Sequence, residues 1–224
     1  MPSVLTTIRE EEIPRFSSCC FGGESCTSPK KDGSGAGIVY EHDQQRMCIS
    51  IDQIIYPQGG LIPVLKGKQN SKKYCVATIF VDHLSKLAFV HFSEITTTNK
   101  AVEAKHAFEQ FTATFFVKVQ KDHIDNGAFN TRIFKESIIA ANQTIAFSGV
   151  DSRHQNGIAE CMIKTVTYFS QSILLNAMIC WTDVITTELW PYAIKLAIGV
   201  NNNCHDNSGI TALECFSSTK YMLE

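Results

Sequence analysis

The order of apolar and polar residues along this chain predicts an alternation of strands and helices. "RMCISID" is a short β-branched run, read as a strand that ends at Asp52. "IYPQGGLIPVLKGKQNSKK" follows with Pro, Gly and Asn in place of a period, and reads as a loop with a basic tail. "YCVATIFVD" is a strand dense in β-branched and aromatic residues. "HLSK" turns and "LAFVHFSE" returns, which predicts a hairpin with Asp82 at its tip. "TTTNKAVEAKHAFEQFTATFF" opens on Thr and Asn cap candidates and continues with helical spacing. "VKVQKDHID" reads as a strand, "TRIFKESIIAAN" as a helix and "QTIAFSGV" as a short strand. After the loop "DSRHQNG" comes a long amphipathic helix. Its apolar positions Ile158, Met162, Val166, Phe169 and Ile173 step by four, four, three and four. A last helix is predicted over residues 189–200.

This order is three strands, helix, strand, helix, strand, then helices. It predicts an α/β domain with a mixed five-stranded sheet and helices on both faces. Residues 1–45 differ from the rest. "CCFGGESCTSPKKDGSGAG" is rich in Gly, Ser and Lys without an apolar period, and reads as loop or disordered linker. The domain division is therefore 1–45 and 46–224.

Composition narrows the classes. A 224-residue chain with 44% hydrophobic residues can bury a sizeable core. No apolar run approaches the ~20 residues of a membrane span, and the N-terminus lacks the apolar core of a signal peptide, so an intracellular protein is expected. Nine cysteines without framework spacing argue against a secreted disulfide scaffold. Most of them read as small buried hydrophobes. At net charge −2 there is no global basic field, so nucleic-acid binding needs a local patch.

Three acids occupy telling places. Asp52 closes the first strand, Asp125 closes the strand after the first helix, and Glu160 sits in the first turn of the long helix. Asp125 is followed by Asn126-Gly127, a turn pair. Alone, each acid has a plain reading: a turn residue, a solvated strand end, a partner for the helix dipole. Together they suit a magnesium site, because that hard cation takes oxygen ligands and keeps several waters. Asp82 competes for the first place, but a hairpin tip accounts for it. His123 and His154 flank two of the acids. Lys164 lies one helical turn beyond Glu160 and faces the same way. Lys66, Lys68, Lys72 and Lys73 form a basic loop able to touch a phosphate backbone.

The order of "SID", "HIDNGAF" and "HQNGIAE" resembles the DDE integrase core of retroviruses and retrotransposons. "FVDHLSKLAFVHF" is similar to the second and third strands of that core. "LLNAMICWTDVITTELWPYAIKLAIGVNN" with "GITALECFS" resembles the helical tail that copia-type integrases carry after it. The resemblance covers about Met47 to the C-terminus. It implies a ribonuclease-H-like fold and DNA integration, with 3′-end processing followed by strand transfer. It implies two Mg²⁺ (or Mn²⁺) ions on Asp52, Asp125 and Glu160, and DNA contacts from Lys164 and from Lys66, Lys68, Lys72 and Lys73. The partners it implies are element-end and target DNA and further copies of the chain, with no membrane, and it implies the nucleus as the location.

The chain departs from the family pattern in places. Cys161 follows the glutamate where Arg is usual, and the tail reads Thr211-Ala212-Leu213-Glu214 instead of Thr-Pro-x-Glu. "PRFSSCCFGGES" aligns with the end of the family's zinc module, but Phe16 replaces its first Cys and no His precedes it. No zinc site is expected there, and 1–45 reads as a degenerate remnant of that module in a truncated copy of a mobile-element polyprotein. Two other readings stay open: a nuclease of the same fold, and a decayed domain that binds nucleic acid without turnover.

Overall fold

The structure, a computed structural model, describes residues 48–63, 71–124, 129–147, 157–205 and 209–218. The expectations for residues 1–45 lie outside these.

Five strands form one sheet: β1 (Cys48–Leu61), β2 (Lys73–Asp82), β3 (Ala88–Ser93), β4 (Lys121–Ile124) and β5 (Thr144–Phe147), in the order β3-β2-β1-β4-β5. The first three run antiparallel, while β4 and β5 join β1 in parallel. The helices are α1 (Thr98–Ala113), α2 (Arg132–Ala140), α3 (Gly157–Cys180), α4 (Trp190–Asn203) and α5 (Ala212–Ser217). This is the predicted mixed sheet with helices on both faces.

Side chains alternate between the faces of a strand, and two cores result. On one face Ile49, Ile51, Phe80 and Ile124 pack with Ala104 and Phe108 of α1 and with Phe134 and Ile138 of α2. Phe80 and Phe108 stack with ring centroids 4.7 Å apart. On the other face Ile54, Ala77 and Ala88 pack with Val166 of α3 and with Trp190, Ile194 and Ala197 of α4. Met162, Phe169 and Ile173 join this second core, as the helical spacing predicts. Thr97 caps α1 and Thr131 caps α2, each side chain accepting a backbone N–H of the first turn.

The structure corrects several expectations. β1 does not end at Asp52. It runs on to Leu61 through the stretch read as a loop, because Ile54 and Tyr56 find burial against α3 and α4. Its pairing with β2 breaks between Ile55 and Gly60, and Pro57, which cannot donate to a ladder, falls within this irregular stretch. Gly60 is obligatory: a Cβ there would lie 2.4 Å from Pro191 Cγ and 2.6 Å from Trp190 Nε1. The same indole N–H donates to the Gln58 carbonyl at 3.0 Å. Of the eight described residues of the strand expected over 117–125, only the last four, Lys121–Ile124, form β4. No element was predicted at α5. Its start is a complete capping box, Thr211 with Glu214. None of the six described cysteines is fully buried, and Cys180 and Cys204 are exposed.

Candidate functional site

Asp52 is half-buried in the middle of β1, opposite Ile79 of β2. Its Oδ1 accepts the Gln53 backbone N–H at 2.7 Å, and the Gln53 side chain donates to Thr78 Oγ1 at 3.1 Å. The carboxylate thus stands on a braced piece of sheet, on the face that carries Ile54 and Tyr56. On the parallel side, Ile51 pairs with Ile124. The next residue on β1 is Asp52, and the next after Ile124 in the chain is Asp125, which lies outside the described residues.

Glu160 is exposed in the first turn of α3. Tyr56 of β1 packs on the same core as Met162 and Phe169 of α3, so helix and strand are tied together beyond both acids. Lys164 is exposed one turn past Glu160. Lys72 forms an exposed ion pair with Glu94 at 3.3 Å, and Lys73 pairs with Glu188. Lys66 and Lys68 lie outside the described residues, as does His154. Among the described residues no three His, Cys, Asp or Glu side chains form a metal-holding group.

Asp82 behaves as a hairpin acid. It pairs with Ile49, is fully buried, and its Oδ2 accepts both the backbone N–H and the hydroxyl of Ser85 at 2.7 Å. Asp52 faces Ile79, three residues before Asp82. Alternation along β2 therefore puts the two aspartates on opposite faces of the sheet. Burial raises the Asp82 pKa against the Ser85 hydrogen bonds.

Two polar groups escaped the sequence reading. At the start of β1, His83 Nε2 lies 2.7 Å from Ser50 Oγ and 3.8 Å from Cys48 Sγ, with the His123 ring 6.0 Å away. Burial, then the nearby Lys86, His123 and Lys121, push the His83 pKa down to about 4. The Cys48 thiol is raised, mainly by burial, which keeps it unreactive.

Under α1, buried Lys105 pairs with Glu109, which also accepts from Gln143 Nε2 at 2.7 Å. Asp122 of β4 is buried beside this pair, and its Oδ2 has no hydrogen-bond partner. Burial pushes its pKa up to about 7, against the pull of Lys105. A Lys at a core-facing helical position followed by Glu four residues on is the one sequence sign of this network.

No family model matches the chain, and no curated protein matches it. Solved structures do match. The chain is similar to the simian T-cell lymphotropic virus intasome solved with the PP2A regulatory subunit B56 gamma, at TM-score 0.57 and 12% identity. There it covers 80% of its own length and 56% of that chain. It is similar to the catalytic core of BIV integrase at TM-score 0.53 and 17% identity, covering 77% of this chain and 95% of that one. It is similar to the HTLV-2 integrase catalytic core in complex with magnesium, in its dimeric form, at TM-score 0.50 and 19% identity, covering 77% and 97%. The β3-β2-β1-β4-β5 sheet with helices on both faces is therefore the ribonuclease-H-like fold of the retroviral integrase catalytic cores.

Proposed function

We propose that this chain is an integrase-like domain that performs metal-dependent phosphoryl transfer on DNA, with Asp52, Asp125 and Glu160 as its acids. The observation that carries the reading is the parallel register of β1 and β4. It pairs Ile51 with Ile124, and the next residue in each segment is an aspartate. Glu160 adds a third carboxylate from the first turn of α3. Three oxygen donors, half-buried or exposed where they are described, fit magnesium, which the HTLV-2 core is solved with.

Bound there, two such ions would make the attacking hydroxyl more acidic and offset charge on the phosphate. The chain's own part is to position and to neutralise. The Gln53 N–H orients Asp52, and Lys164 offers a cation to a backbone phosphate on the Glu160 side of α3. In 3′-end processing, water attacks phosphorus and the departing nucleotide leaves a free 3′-hydroxyl. In strand transfer, that hydroxyl attacks a target phosphodiester, and the new P–O bond forms as the target strand's own 3′-oxygen leaves. The copia-type lineage, the nuclear location and assembly from several copies belong to the same proposal. The HTLV-2 core is described in dimeric and trimeric forms. Leu175 and Ile179 of α3 and Tyr192 and Leu196 of α4 give this chain exposed apolar surface for such assembly. Among the described residues no helix is long and apolar enough to cross a membrane.

The test is nicking and joining of DNA by the purified chain with Mg²⁺ or Mn²⁺. Asp52→Asn, Asp125→Asn and Glu160→Gln should each abolish both, while Asp82→Asn, once shown to be folded by circular dichroism, should retain them. Loss in the Asp82 variant with activity kept in the Asp52 variant would overturn the assignment of the first acid. Cutting without joining would select the nuclease reading. A second reading, a decayed domain without turnover, draws on the ion pairs that occupy Lys72 and Lys73 and on the net charge of −2. Metal binding with no nicking would select it.

A further inference from the structure

The polar group beneath α1 leaves two buried acceptors unanswered. Asp122 is 2% exposed and Gln143 9%, and neither Asp122 Oδ2 nor Gln143 Oε1 has a hydrogen-bond partner among the described residues. Turning the Gln143 amide over does not help. Its Nε2 donates to Glu109 Oε1 at 2.7 Å, the oxygen that Lys105 also holds, so a flipped amide would set oxygen against oxygen. The second Glu109 oxygen faces His106 Nδ1 at 3.2 Å. A buried acceptor without a donor is costly, and here two stand in one network.

Register brings the two together. β4 and β5 pair Asp122 with Ile145, two residues past Gln143. Diagonal neighbours on adjoining strands lie about 8 Å apart at Cα, a gap that a Gln side chain and a carboxyl can close between them. The charged groups that act on Asp122 are Lys105 and Glu109 of α1. β1 offers it Ile49 and β5 offers Ile145. From α2, Phe134 and Ile138 enter the same core, while Lys135 lies over the Phe147 ring. Lys121 and His123, its neighbours on β4, leave by the other face. Burial favours the neutral carboxyl, with a pKa of about 7, and a neutral carboxyl has an O–H to give.

We propose that Asp122 carries a proton and that its O–H donates to Gln143 Oε1, a latch that ties β4 to the turn between α2 and β5. One proton then satisfies both orphaned oxygens and completes a chain from Lys105 through Glu109 and Gln143 to Asp122. Loss of the proton leaves two acceptors facing each other, so the latch opens as pH rises through about 7. Ile124 and then Asp125 follow in the chain, so the latch fastens the strand that leads into the second acid. It lies on the α1 face of the sheet, opposite to Asp52, and needs no metal on the acids.

The experiment titrates the full chain, without metal, by NMR, following the Asp122 carboxyl carbon and the Gln143 side-chain amide from about pH 5 to about pH 9. Both signals should move with one midpoint near 7. A carboxyl already ionised at the acid end, or a Gln143 amide that does not follow it, overturns the latch. Gln143→Met removes the acceptor that favours the neutral acid, and should lower the Asp122 proton affinity about tenfold, or about one pH unit. An unchanged or raised midpoint in this variant overturns the bond and assigns the two oxygens to a bridging water. In urea unfolding, Asp122→Ala and Gln143→Met should be coupled about tenfold in the unfolding constant below the midpoint and independent above it. With Asp122→Asn, whose amide donates to the same oxygen, Gln143→Met should cost the same at both ends of the range. Coupling between Asp122→Ala and Gln143→Met that persists unchanged at high pH overturns the proton as its source.

Discussion

His83 Nε2 lies 2.7 Å from Ser50 Oγ, across the first strand pair of the sheet. Burial there holds the imidazole neutral, with a pKa of about 4 against an ordinary 6.5. Between those values the unfolded chain binds the proton and the folded chain does not. His83 therefore adds stability as pH rises from about 4 to 6.5, and removes it as pH falls. Urea unfolding across this range should show His83→Gln losing the rise, by an amount of order 2 kcal/mol. Parallel pH profiles for variant and wild type would refute it.

Asp122 acts in the opposite sense. Its folded pKa is raised to about 7 by burial, so the folded state holds a proton that the unfolded chain has released above about 4. Stability falls as pH rises through that window, and the raised Asp82 adds to the fall. Across about pH 4 to 6.5 the His83 and Asp122 slopes oppose, and the wild-type profile should be flattened. Asp122→Asn should uncover the His83 rise and be the more stable protein at pH 8, by a few kcal/mol at most. An unchanged slope in this variant would count against the buried carboxyl.

Lys105 is 1% exposed and paired with Glu109. Lys105→Met should cost about 3–5 kcal/mol in urea unfolding, since it strands Glu109 beside Asp122. Adding Glu109→Leu should return much of that loss, because the pair is then replaced by apolar groups. Additive losses in the double variant would show that the two residues do not act as a unit.

Thr211 is a buried cap, and its box with Glu214 is the only device that starts α5 among the described residues. Thr211→Ala should lower stability by about 1 kcal/mol, while Thr211→Ser keeps most of it. Thermal melts that do not distinguish Ala from Ser would show that the cap is idle.

The hairpin, the helices capped by Thr97 and Thr131 and the core stripe of α3 were legible because local spacing and burial agree there. Val166, Phe169 and Ile173 repeat at helical steps and meet the sheet. The tail of β1 was not legible. "YPQGG" has the composition of a loop, and only Trp190, 130 residues later in the chain, makes it a strand by covering Gly60. β4 was overdrawn for a related reason: Val117 and Val119 look like strand residues, but the ladder begins at Lys121. Among the acids, spacing alone left Asp52 and Asp82 as rivals. The register separates them by face, a property of pairing that no single segment states. The Lys105, Glu109 and Asp122 group was hidden because its members come from α1 and β4 and meet only when the sheet closes.

The break in pairing between β1 and β2 divides the first strand into two lengths. Five steps on β1, from Ile55 to Gly60, answer two on β2, from Val76 to Tyr74. The surplus residues form a bulge, downstream of Asp52 and upstream of the Gly60 clamp, held at Tyr56 and Gln58 by Trp190. A one-residue deletion within Pro57–Gly59 falls in this bulge and leaves Asp52 opposite Ile79. The same deletion between Ile49 and Ile51 shifts the ladder by one and turns every following side chain to the other face. The strand thus confines indel tolerance to its rear half and leaves the alignment of the front half with β2 and β4 insulated from it.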